Sequence, residues 1–193
     1  MTSQLQKVLS SRSVRKNVDI KLASGAQSNV YVDCKLSTLH GPSLKVIGEF
    51  LFQALQKMIS NFHADSNSLN ESHFYVAGVS VGGDPLVAAV ILEAEKNGTS
   101  LEGLLIRKEP KSHGASQGKA VDGFPPRQNY GVILVEDVIT SGASSYKACE
   151  FLMAEGYKLR GILALVDREA GGVEYLSSKL SVPVITLTKL SEL

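Results

Sequence analysis

Short apolar runs, each the length of one strand and most followed by a segment of helical periodicity, recur along this chain and leave few folds open to it. Residues 74–79 form one such run, closed by Gly82 and Gly83; Asp84 and Pro85 then stand in N-cap and first-turn order ahead of an apolar helical segment over residues 86–94. Residues 101–106 read as a strand. Residues 132–135 read as another, running through Glu136-Asp137 and a Thr-Ser-Gly turn into a helix over residues 143–155, and residues 162–166 and 182–187 supply two more. Leu44, Ile47, Leu51, Ala54, Leu55 and Met58 keep the three-and-four spacing of one helix face. Strands alternating with helices predict an α/β fold with a mostly parallel sheet covered on both faces. Ligands of such sheets bind at the carboxyl ends of the strands, so the segments that leave strands are the places to look for chemistry.

At 193 residues, against about 150 per domain, one domain is expected. The 20 Lys+Arg and 19 Asp+Glu leave a net charge of +1, which weakens a nucleic-acid binder, and 44% hydrophobic residues exclude a disordered chain. Cys34 and Cys149 lie far apart without metal-ligand spacing, which favours free thiols in a reducing compartment. The first twenty residues hold Lys7, Arg12, Arg15 and Lys16 but no apolar stretch of signal-peptide length, and the longest apolar run, residues 86–92, is far shorter than the roughly 20 residues that span a bilayer. A soluble, cytoplasmic protein without a membrane partner is expected. The polar stretch 65–72 and the Gly/Lys-rich stretch 107–127 read as loops.

In residues 132–144 two carboxylates emerge from an apolar strand just before small hydroxylated residues at a helix start. Free N–H groups and the positive end of the helix dipole suit a phosphate, Thr140, Ser141 and Ser144 can add hydroxyl donors, and Gly142 allows close backbone approach. Glu136 and Asp137 would repel a phosphate but can accept hydrogen bonds from sugar hydroxyls. A ribose-5-phosphate cradle and an ordinary strand-to-helix turn with Ser/Thr capping both fit this pattern. Farther upstream, Arg107, Lys108, Lys111 and Lys119 against Glu109 give residues 107–119 a local charge of +3, suited to a polyphosphate or to a solvated basic loop. His113, taken alone, fits a surface histidine, and Arg168, following a strand, fits a salt bridge.

The segment Val-Ile-Leu-Val-Glu-Asp-Val-Ile-Thr-Ser-Gly-Ala-Ser resembles the phosphoribosyl pyrophosphate (PRPP) signature of type I phosphoribosyltransferases. Arg-Lys-x-x-Lys-x-His-Gly ahead of it is similar to the catalytic loop of the orotate phosphoribosyltransferase branch. The resemblance runs from about residue 20 to the end. It implies a type I phosphoribosyltransferase fold, with a small hood over approximately residues 1–40 and a core over approximately residues 41–193. It implies transfer of ribose 5-phosphate from PRPP to orotate with Mg²⁺, held mainly by pyrophosphate oxygens, in a homodimer whose loop reaches the neighbouring site.

Under that resemblance Arg107, Lys111 and His113 contact the pyrophosphate, Lys108 does so from the partner chain, and Lys111 or His113 donates a proton to it. Glu136, Asp137, Val138, Ile139, Thr140, Ser141, Gly142, Ala143 and Ser144 form the PRPP cradle, with Asp137 also stabilising positive charge on the ribose. Thr140 and Arg168 bind orotate, and Tyr31 and Val32 line the base. No protein metal ligand is implied. Two positions depart from many bacterial members, which carry Lys where this chain has Ala23 and an aromatic-Lys pair where it has Val81-Gly82; a second branch carries a turn similar to Gly82-Gly83-Asp84-Pro85. Transfer to a purine or another pyrimidine base, a PRPP-sensing regulator that binds RNA or DNA, and an inactive dimerisation partner are the alternatives.

Overall fold

A computed structural model of the chain describes residues 3–21, 27–64, 73–110 and 118–193. Helix α1 (Gln4–Arg12) opens on a capping box, in which Ser3 and Gln6 satisfy each other's backbone N–H, and sends Leu5 and Leu9 into the core. Strands β1 (Val14–Lys21) and β2 (Gln27–Val32) pair antiparallel into a hairpin separate from the main sheet. The short helix α2 (Lys35–Thr38) leads to α3 (Gly41–Ala64), whose Ile47, Leu51, Leu55 and Met58 are buried.

The main sheet is built from β3 (His73–Val79), β4 (Glu102–Ile106), β5 (Val121–Gly123), β6 (Tyr130–Ile139), β7 (Lys158–Asp167) and β8 (Val184–Lys189), in the order β5-β4-β3-β6-β7-β8. Every pairing in it is parallel except β4 with β5. Helices α4 (Asp84–Lys96), α5 (Ala143–Ala154) and α6 (Gly172–Leu180) connect successive strands. Alternate residues of the central strands feed opposite faces. Val76, Ile133 and Val135 pack with α1, α3 and α4, whereas Ala77, Val132 and Leu134 pack with α5 and α6. Burial on both faces is why these strands read as continuous apolar runs. No helix among the described residues is long and apolar enough to cross a membrane.

The expected α/β architecture is observed, with four local differences. Helix α1 was not anticipated; Ser3 followed by Gln6 is its sequence signal. The stretch expected to be loop over residues 107–127 contains β5, which is only three residues long and is held by pairing with β4. Helix α6, not anticipated, connects β7 to β8. Strand β6 does not end at residue 135 but continues to Ile139, because β7 pairs with it as far as Ile139 opposite Asp167. The paired carboxylates therefore lie inside a strand. Residues 65–72 fall outside the described residues.

Candidate active site

The carboxyl ends of β3, β4 and β6 open onto a cleft of about 570 Å³, within the roughly 300–1,000 Å³ of small-molecule sites. From the expected site it takes Lys108, Glu136, Asp137, Val138 and Ser144, and it adds Lys35, Ser80, Val81 and Gly82. Extension of β6 through the acids separates their roles. Glu136 is buried and its Oε2 accepts a hydrogen bond of 2.9 Å from Ser145 Oγ. Asp137, the next residue on the strand, is half-buried beside Gly82, and its Oδ1 accepts from the Val138 N–H at 2.9 Å. A Cβ built on Gly82 would stand 2.7 Å from Asp137 Oδ2, so glycine lets the carboxylate lie against the backbone of that turn.

Burial, reinforced by the negative charge of Asp137, pushes the Glu136 carboxyl well above the ordinary 4.5. A carboxyl with a raised value in the folded state holds its proton better there than in the unfolded chain. Its penalty is absent below about 4.5 and grows as pH rises from that value to the folded one. Glu136→Gln retains an acceptor for Ser145 and removes the ionisable group. Thermal unfolding at pH 5 and pH 8 is expected to find the variant progressively more stable than the parent at the higher pH; an equal difference at both would contradict the assignment.

After β6 the chain turns through Thr140 and Ser141 to Gly142, which opens α5 in a left-handed conformation with φ 77°. Gly142 has no side chain to cap the helix, and Ser141 Oγ reaches the Ala143 N–H only at the long limit of 3.5 Å. The turn is thus not the hydroxyl-capped one that the sequence also allowed. It presents N–H groups and exposed Ser141 and Ser144 hydroxyls at the positive end of α5, an arrangement suited to a phosphate.

Arg168 follows β7. Its backbone N–H donates to Ile139 O at 2.9 Å, which sets it beside Thr140, and its Nη2 donates to Val30 O at 3.0 Å, tying it to the hairpin. Tyr31 is exposed next to this contact, whereas the side chain of Val32 is in the core. Arg107 does not line the cleft: its Nε pairs with Asp122 Oδ2 on β5 at 2.6 Å, and its N–H donates to Ala120 O. Glu155, just beyond α5, fastens the same place by accepting from the N–H groups of Ala120 and Val121 at 2.7 and 3.1 Å. Lys111 and His113, like Ala23, lie outside the described residues. Lys108 lines the cleft of its own chain.

Sequence reasoning missed Lys35, whose Nζ is 2.6 Å from Asp33 Oδ1. Cys34 Sγ lies 3.8 Å from Asp137 O and carries this segment to the end of β6. The alternation that puts Val32 and Cys34 inside and Tyr31 and Lys35 outside was the available signal.

The chain matches the model of the phosphoribosyl transferase domain over residues 47–188, a span that includes the strand–turn–helix at the carboxyl edge of the parallel sheet. It is 36% identical over 174 residues to an orotate phosphoribosyltransferase of Rhodopirellula baltica, covering 90% of this chain and 84% of that one. The crystal structure of orotate phosphoribosyltransferase from Aeropyrum pernix superposes with a TM-score of 0.70 at 28% identity, over 97% of this chain and 95% of that one. The Mycobacterium tuberculosis enzyme in complex with PRPP shares the fold, with a TM-score of 0.68 at 23% identity over 98% and 96% of the two chains. The chain belongs to the orotate phosphoribosyltransferase family.

Proposed function

We propose that this chain transfers ribose 5-phosphate from PRPP to orotate, giving orotidine 5′-monophosphate and pyrophosphate in pyrimidine nucleotide (UMP) biosynthesis, as a cytoplasmic homodimer built from one phosphoribosyltransferase domain. The observation that carries this reading is the junction of β6 and α5, where the carboxylate of Asp137 and the uncapped start of a helix sit within a few residues of each other. Thr140, Ser141, Gly142, Ala143 and Ser144 receive the 5′-phosphate, while Asp137 accepts from ribose hydroxyls and faces the ring as positive charge develops at C1. Glu136 holds Ser145 and so braces the cradle from behind, and Val138 and Ile139 supply its backbone. Arg168 offers a planar guanidinium to the orotate carboxylate beside Thr140 and Tyr31.

In the reaction a ring nitrogen of orotate gives up its proton to water and forms a bond to ribose C1 as the bond from C1 to the pyrophosphate oxygen breaks, and the electron pair of that bond leaves with pyrophosphate. The basic loop, with Arg107, Lys108, Lys111 and His113, stabilises that departing charge, and Lys111 or His113 supplies a proton to it. For Arg107 this requires exchange of its Asp122 partner for a phosphate. Mg²⁺ would be held mainly through pyrophosphate oxygens and water, and the hard carboxylate oxygens of Asp137 in the cleft suit the water such an ion keeps. When bound, the ion would supply neutralisation of leaving-group charge.

The test of the reading mixes the protein with PRPP, Mg²⁺ and orotate and follows loss of orotate absorbance. Turnover with hypoxanthine, adenine or uracil and none with orotate would overturn it. For the dimer, Lys108 is assigned to the partner's site and Arg168 to its own. Lys108→Ala and Arg168→Ala, each inactive alone, are then expected to regain up to about a quarter of parental activity when their subunits exchange, since a mixed dimer restores one complete site. Dimers that exchange without recovery would assign Lys108 to the cleft it borders in its own chain.

A further inference from the structure

With the start of α5 occupied by a 5′-phosphate, the pyrophosphate of PRPP falls to the rest of the cleft, where Lys35, Ser80, Val81, Gly82 and Lys108 stand around Asp137. This part needs fixed positive charge, because Asp137 borders it and a pyrophosphate adds several negative charges. Position 82 can supply none: Gly82 has no side chain, and the Asp137 carboxylate occupies the space into which one would grow. Val81 is exposed but apolar. Among the described residues of the wall the cations are Lys35 and Lys108, and Lys108 stands at the foot of the basic loop, whereas Lys35 belongs to α2.

Lys35 is also set in place. Its ammonium pairs with Asp33 at 2.6 Å, and Asp33 Oδ1 accepts in addition from the Lys35 backbone N–H at 3.2 Å, so the two residues form a local clamp. Cys34 between them is buried with its sulfur 3.8 Å from Asp137 O, which fixes the clamp to the strand carrying the ribose-binding carboxylate. An ammonium has three donors, and the bond to Asp33 engages one. Its side chain is 46% exposed and lines the cleft.

We propose, resting on the reading of the cleft as a PRPP site, that Lys35 is a pyrophosphate-binding residue, the cation that α2 contributes opposite the basic loop, with Asp33 as its positioning residue. The ligand class is a diphosphate, free or as the leaving group of PRPP. Removing a charge-assisted hydrogen bond of this kind is expected to weaken diphosphate binding about ten- to a hundredfold.

The experiment titrates the parent protein, Lys35→Ala and Lys35→Arg with PRPP, with inorganic pyrophosphate and with ribose 5-phosphate, all with Mg²⁺, by calorimetry, and measures KM for PRPP and for orotate. Lys35→Ala should bind PRPP and pyrophosphate more weakly and ribose 5-phosphate as the parent does, with KM for PRPP raised and KM for orotate within about twofold. Lys35→Arg should recover most of the loss. Unchanged pyrophosphate affinity in Lys35→Ala, or a loss for ribose 5-phosphate alone, overturns the assignment. Should Lys35→Ala unfold, Lys35→Met retains the aliphatic stem and carries the same test. A parent protein that binds neither PRPP nor pyrophosphate would instead refute the PRPP reading itself.

Discussion

Asp137→Asn is expected to lower kcat about 10²- to 10³-fold, the usual cost of removing one preorganised electrostatic group from a transition state. The substitution is close to isosteric, and an asparagine Oδ1 can still accept from the Val138 N–H that Asp137 Oδ1 holds at 2.9 Å. Nor does it unsettle Gly82, whose backbone meets the same side-chain outline. Melting temperature should therefore stay near the parental value while single-turnover rates with saturating PRPP and orotate collapse. What is removed is a negative charge facing the ribose as the leaving group departs, so the loss belongs in kcat more than in KM. A variant with parental kcat would take Asp137 out of the reaction and leave it a residue of the cleft wall. The Glu136→Gln variant makes the contrast, since the neighbouring carboxylate is buried against Ser145 and its removal should register in pH-dependent stability.

Gly142→Val should have the largest effect on the fold. The position has φ 77°, a region in which a β-branched residue is an outlier, and a Cβ there would lie 2.9 Å from both Gly172 O and Leu176 Cγ. A left-handed residue costs roughly 1–2 kcal/mol and overpacking roughly 1–3 kcal/mol, so a loss of about 3 kcal/mol is expected. For a chain of this size that is a fall in melting temperature of about 6–12 °C. Because α6 rests directly on the turn through Gly172, the strain cannot be relieved without moving the start of α5, and PRPP affinity should fall with stability. Chemical denaturation and PRPP titration of the same preparation check both. A variant as stable as the parent would show that the turn can be rebuilt without the left-handed residue.

Much of the architecture is legible in the sequence because its signals are short-range. Strand-length apolar runs, the stripe from Leu44 to Met58 and the Asp84-Pro85 helix start each depend on residues within a few positions of one another, and all recur in the structure as β3, β4, β6, β7, β8, α3 and α4. The segment proposed to receive the phosphate is equally local, since the end of β6, the glycine turn and the start of α5 are contiguous. What the pattern could not convey is where a strand stops. The apolar run stops at Val135, yet pairing with β7 carries β6 on to Ile139, and on that extended strand Glu136 is buried against Ser145 while Asp137 stays half-buried beside Gly82.

The parallel α/β plan, the paired carboxylates ahead of a glycine turn and the basic segment that begins at Arg107 follow from local sequence. How they meet depends on the packed chain. Packing buried Glu136 against Ser145 while leaving Asp137 half-buried beside Gly82, engaged Arg107 with Asp122, joined Arg168 to the hairpin through Val30, and brought Lys35 to the cleft of Asp137, 102 positions (137 less 35) away in the chain. The reason is physical: periodicity and turn chemistry are set by neighbours along the chain, whereas the charge balance of a cleft is set by which strand ends the sheet order places side by side.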